Sequence, residues 1–149
     1  MYQKFRYSGF IKGATVFCLL VFLGLAYFLV AEQGGLEGML GGLAVIIVGV
    51  IWPYLRSPKA VSWDEAGVVL YQQSGQKVFS ATDYEIDIES GVQLFWGMRL
   101  WASGGYFGFW GLFSSPRLGR YWLYQTDTSS KHYLRLQHRT SKKLYFIAL

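Results

Sequence analysis

Charge is scarce in this chain, and it is missing in blocks. Only 15% of the 149 residues are Asp, Glu, Lys or Arg, against about a quarter in an ordinary soluble domain. No charged residue lies between Lys12 and Glu32, and none between Glu37 and Arg56. Beyond Arg56 the usual mixture returns, so two chemistries are joined end to end. The second part is long enough for one small domain, not two. Cysteine is nearly absent too. The single thiol, Cys18, lies inside the first apolar run; alone it builds no disulfide framework and holds no metal, and it is read as a small apolar side chain. Catalytic motifs are also lacking. There is no nucleophile elbow, no His-Glu metal motif and no glycine-rich nucleotide loop leading into a helix. The expectation is a chain that is not an enzyme and uses no cofactor or metal. No Asp, Glu, Lys, Arg or His lies in either apolar run, which argues against an ion channel or a proton-coupled transporter. The net charge of +5 is modest, and part of the excess flanks the apolar runs, so no nucleic-acid partner is expected.

What is present begins with those runs. Gly13 to Ala31 gives 19 uncharged residues and Gly38 to Leu55 gives 18. At about 1.5 Å per residue each approaches the ~30 Å of a hydrocarbon core. The second run ends in Trp52-Pro53-Tyr54, residues suited to the headgroup level and to a helix end. A turn over Glu32 to Glu37, with Gly34 and Gly35, joins them into a transmembrane helical hairpin. Lys4, Arg6 and Lys12 precede the pair, and Arg56 and Lys59 follow it. The positive-inside rule then puts both termini in the cytoplasm, on the inner membrane. A cleaved signal peptide is the rival; it would put the later domain on the other side, but 19 residues is long for such a segment and no small-x-small site is visible. Gly38-x-x-x-Gly42 is a minimal packing motif, read first as packing inside the hairpin.

From Lys59 onward the pattern has period two. Lys59–Trp63, Val68–Gln72, Gln76–Ser80, Tyr84–Glu89, Met98–Ala102, Arg120–Thr126, His132–Gln137 and Leu144–Ala148 read as strands between turn signals, giving an antiparallel sandwich or barrel. Ser103 to Gly111 stands apart, with Tyr106, Phe107, Phe109 and Trp110 set among glycines. It is either an irregular loop folded back on the barrel or an insertion into the lipid interface or a neighbouring protomer; Leu94, Phe95, Trp96 and Trp101 add to the aromatic load. Asp83, Glu85, Asp87 and Glu89 share one strand face. They are too widely spaced for a metal cage and are read as a solvated face paired with basic residues on the next strand. Lys131, Arg135, Arg139, Lys142 and Lys143, with His132 and His138, surround a hairpin near the C-terminus. This is a candidate contact for anionic headgroups or a protein partner, or a solvated hairpin.

The second half resembles the bacterial PH-domain (pleckstrin-homology-like) membrane proteins. The likeness rests on Arg99 to Trp101, on Ser103-Gly104-Gly105 with Gly108 and Gly111, on Leu118-Gly119-Arg120-Tyr121, on Leu123-Tyr124 before Thr126-Asp127, and on Phe146-Ile147. It covers roughly residues 56 to 149, so the domains are a helical hairpin over 1–56 and a PH-like β-domain over 57–149. It implies a seven-stranded bent barrel, normally closed by a C-terminal helix. Here no amphipathic helix follows the last strand, so either the chain is truncated or something else, such as the hairpin or another subunit, covers the open end. The first hairpin carries Asp64, Glu65 and a lone Lys77 where lipid-binding members carry a basic cluster, so phosphoinositide binding is not carried over. The resemblance implies a binding or scaffolding module that meets a protein partner or another copy of itself. A sensor of anionic lipid surfaces and an accessory subunit of a membrane enzyme or transporter are the alternatives.

Overall fold

The computed structural model describes residues 1–91, 94, 97–103 and 106–149. Phe95, Trp96, Gly104 and Gly105, singled out above, lie outside the described residues. Two helices are long and apolar enough to cross a membrane: α1 (Gly9–Gln33) and α2 (Gly35–Arg56). Ser8 caps α1 by accepting the Ile11 N–H. The turn between the helices is tighter than the six residues expected, because Gly34 and Gly35 reverse the chain by themselves. Their φ angles are +61° and +54°, a region costly for any residue with a Cβ. Within α2, Ile47–Ile51 widens into a π-turn, with the Trp52 N–H bonded to the Ile47 carbonyl. Pro53 follows directly and removes a helical donor there. The expected glycine packing is internal to the pair. A Cβ on Gly38 would stand 2.8 Å from the Leu29 carbonyl oxygen, and one on Gly49 would stand 2.6 Å from the Phe22 ring.

Among the described residues, ten strands follow the expected period-two pattern with two additions. They are β1 (Tyr2–Lys4), β2 (Pro58–Asp64), β3 (Gly67–Gln72), β4 (Gly75–Ser80), β5 (Tyr84–Ser90), β6 (Met98–Ala102), β7 (Phe109–Ser115), β8 (Gly119–Gln125), β9 (His132–His138) and β10 (Leu144–Ala148). They form two sheets, ordered β1-β2-β3-β4 and β5-β9-β10-β8-β7-β6. No closed barrel forms among the described residues, so the barrel expectation is corrected to a two-sheet arrangement. The edge strands β1 and β4 of one sheet do not pair with the edges β5 and β6 of the other, and β10 enters between β8 and β9, parallel to the first and antiparallel to the second, so the sheet is not purely antiparallel as expected.

Being central, β10 is buried on both faces. Leu144, Phe146 and Ala148 join Tyr121, Leu123, Phe109 and Phe113 in one core cluster. Tyr145 and Ile147 turn the other way, toward Tyr124, Leu134, Leu136 and the inward residues of the four-stranded sheet, Val61, Val68, Leu70 and Phe79. Strand alternation thus builds two cores from one sheet. The N-terminal segment completes both. Strand β1 pairs with β2, Phe5 enters the inter-sheet core, and Ile11, on the first turn of α1, is fully buried in the other. In sequence the apolar helices separate from the strands at residue 56; in space residues 2–12 pack with the strands. The Ser103–Gly111 segment, for which an irregular loop was one expectation, instead supplies the start of β7. Its glycines hid the alternation, and Gly111 is needed because a Cβ there would meet the Trp101 carbonyl oxygen at 2.4 Å.

Candidate functional site

The aromatic segment between β6 and β7 lies along the bases of both helices. Phe109 is buried and its ring stacks on Phe10 of α1 at 6.4 Å. Phe107 holds a positive φ of 56° and donates its backbone N–H to Thr15 Oγ1 at 2.9 Å. Thr15 in turn donates to the Ile11 carbonyl at 2.7 Å. The Phe107 ring meets Tyr54 of α2 edge-on at 5.5 Å. Tyr106 reaches further along α1, with its ring 6.0 Å from that of Phe22. Trp110 half-buries its indole beside Val48, Trp52, Pro53 and Trp101 in a groove of about 450 Å³. Its Nε1 is buried and has no hydrogen-bond partner among the described residues. The helix pair joins the strands in seating this segment.

Cations ring this seat. The Arg56 guanidinium lies 4.8 Å from the Trp52 ring centroid and that of Arg99 lies 5.8 Å from Phe109. Lys12 lines a second groove of about 370 Å³ with Tyr7, Thr15, Tyr54 and Phe107. Sequence reasoning named the four aromatics but not Thr15, Phe10 or Ile11. A Thr inside an apolar run carried the only signal, as a polar group that must find a partner.

The basic residues near the C-terminus do not form one cluster. The helix-proximal end of the sheet is marked by the Ser8 N–H donating to the Thr126 carbonyl at 3.1 Å and by Thr126 Oγ1 donating to the Arg6 carbonyl at 2.9 Å. Strand β10 runs parallel to β8 and reaches that end with Ala148. Its opposite end, with the turn holding Arg139, Lys142 and Lys143, therefore points away from the helix bases. Lys131 sits at the near end, where Leu149 donates to His132. Arg135, in mid-strand, lies 4.0 Å from Glu89 and donates to Gln137 Oε1. This is the cross-strand pairing expected for the acidic row, seen at one of its four members. The topology thus separates these five cations and turns three of them away from any surface the helices enter.

Between the sheets, Lys77 Nζ donates to the Tyr124 hydroxyl at 2.7 Å and lies over the Trp122 and Tyr124 rings. Burial lowers the Lys77 pKa, with Arg56 acting in the same direction. Burial raises that of Tyr124 strongly. Tyr133 is pushed up to about 12, again by burial first. Among the described residues no group of His, Cys, Asp and Glu could hold a metal ion. Compared with models of known protein families, with curated proteins and with solved structures, the chain has no match.

Proposed function

We propose that the chain is a non-catalytic, membrane-anchored binding or scaffolding protein, with α1 and α2 crossing the inner membrane and the β-region at its cytoplasmic face. Orientation rests on Lys4, Arg6, Lys12, Arg56 and Lys59 flanking the helices, against Glu32 and Glu37 in the turn. The observation that carries the proposal is the weld between the two parts. Phe5 and Ile11 belong to the segment that enters the helices and also to the cores of the β-region. Such a joint fixes the height and tilt of a presented surface, which a flexible tether would not.

The surface assigned to a partner, or to a second copy, is the β5 edge. Its ladder is open on one side, and Ile88 is exposed there between Asp87 and Glu89. An added strand with basic flanks would satisfy both the backbone and the charge. Kinship with the bacterial PH-domain membrane proteins is part of the same proposal and rests on the sequence residues quoted for it. The turn of Arg139, Lys142 and Lys143 lies at the end of β10 that points away from the helix bases. In mild detergent, the full chain purified from membranes should keep a bound protein or a self-assembled form, and Ile88→Lys should release it. A monodisperse monomer with nothing bound would sink the scaffold.

A further inference from the structure

Strand β6 is unusual for an edge. Met98, Leu100 and Trp101 are 70%, 43% and 74% exposed, so apolar side chains stand out on neighbouring positions of one short strand. An edge of this kind on a soluble surface is an aggregation hazard. It continues, without a break, the exposed apolar surface of the helices: Val48 and Trp52 of α2 share a groove with Trp101, Ala102 and Tyr106.

We infer that β6, together with Tyr106 and Phe107, is itself a membrane element, lying in the leaflet where the helix pair meets the strands, with Leu100 and Trp101 against lipid. The inference rests on the proposal that α1 and α2 cross the bilayer. Depth comes from the contacts along α1. They run from Phe10 through Thr15 to Phe22, twelve positions or about 18 Å of helix. The last of these lies midway along the uncharged run from Gly13 to Ala31. Cations and apolar groups are layered accordingly. Arg99 precedes Trp101 by two strand positions, about 7 Å, and Lys12 precedes Thr15 by one helical turn, so both stand on the headgroup side of Trp101 and Phe107.

The second support is hydrogen bonding. Hydrocarbon tolerates a non-helical backbone only where its polar groups are satisfied by protein. Among the described residues here, the Phe107 N–H is taken by Thr15 Oγ1, the Tyr106 carbonyl accepts from Ser103 Oγ at 2.6 Å, and the Ser103 N–H bonds the Trp110 carbonyl at 2.8 Å. Lipid is favoured over a second copy because β6 shifts register between Arg99 and Trp101. That bulge interrupts the regular edge a pairing strand needs, whereas lipid asks for no register.

The test uses the full chain with Cys18→Ser, a single cysteine placed by Leu100→Cys or Trp101→Cys, and a nitroxide label, in phosphatidylcholine–phosphatidylglycerol vesicles. Leu25→Cys in α1 and Val78→Cys on β4 serve as lipid and water references. Positions 100 and 101 should collide with oxygen rather than a water-soluble nickel chelate, as Leu25 does and Val78 does not. Water-like collision at 100 and 101 with lipid-like collision at 25 would overturn the embedded strand alone. Water-like collision at all of them would overturn the membrane-spanning proposal with it. The unlabelled chain offers an independent reading, since brominated acyl chains should quench its tryptophan emission less after Trp101→Phe. Unchanged quenching would also overturn the inference.

Discussion

At the scale of single residues, the buried tyrosines carry a pH dependence. Tyr133 has no exposed surface, and its pKa in the folded chain is about 12, above the ~10 of a free phenol. Between those values the native state holds a proton that the unfolded state has released. Its contribution to stability is therefore complete below pH ~10 and is lost as pH rises through the folded value. Tyr124 acts in the same sense. Lys77, whose pKa is lowered by burial, acts oppositely, since unfolding lets it regain a proton below its ordinary value and its penalty disappears as pH rises. The thermal midpoint in micelles should fall steeply above pH ~10, and Tyr133→Phe should make that fall shallower. Parallel alkaline limbs for the two proteins would refute the assignment. Little of this was legible beforehand, because a tyrosine in an alternating strand reads the same whether its hydroxyl meets water or a packed core.

At the scale of elements, the helix pair offers a contrast between neighbouring glycines. A methyl on Gly38 would stand 2.8 Å from a backbone oxygen of α1, whereas one on Gly41 finds its nearest neighbour, a Leu29 side-chain carbon, at 3.7 Å. Gly38→Ala should therefore push the helices apart and cost about 1–3 kcal/mol, the usual range for overpacking. Gly41→Ala should be neutral or stabilising, since Ala gains up to ~1 kcal/mol of helix propensity over Gly. Interhelical distances between paired spin labels near the turn, with melting curves for both variants, separate these outcomes; equal effects would remove the packing argument. The Gly38-x-x-x-Gly42 spacing was legible in sequence. Which partner it faced was not, because a small-residue motif states only that something comes close.

Strands show the same division. Eight were readable from alternation and turn residues. Strand β7 was concealed because Gly108 and Gly111 interrupt its apolar pattern, and a glycine that admits a neighbouring backbone looks like a loop glycine in one dimension. Strand β1 was concealed because three residues beside a long apolar helix carry too short a pattern to register.

At the scale of the whole molecule, severing the chain at Ser57 would not release an independent domain. The fragment from 57 onward keeps nine strands but loses β1, Phe5 and Ile11. Removing a large buried apolar side chain costs about 2–5 kcal/mol, and two such losses approach the entire ~5–15 kcal/mol stability of a typical domain. The fragment is expected to lose cooperative unfolding and dispersed amide resonances. A fragment that melts at the midpoint of the full chain would show the helix segment to be a tether after all. In the intact chain, Ile11→Ala alone should lower stability measurably, because its site in the core cannot be refilled by water or lipid.

The amino-acid sequence by itself determined the two apolar helices, their glycine turn and most strands, because those follow from charge exclusion, residue spacing and alternation within short windows. Only the tertiary structure decided the order of strands, the insertion of β10 between β8 and β9, the return of the N-terminal segment into both cores and the seating of Tyr106 and Phe107 on the helices. Each of these pairs residues far apart along the chain. The energy that selects them is contact and hydrogen bonding between surfaces, as when Thr15 takes the Phe107 amide 92 positions away, and no local pattern encodes such a partner.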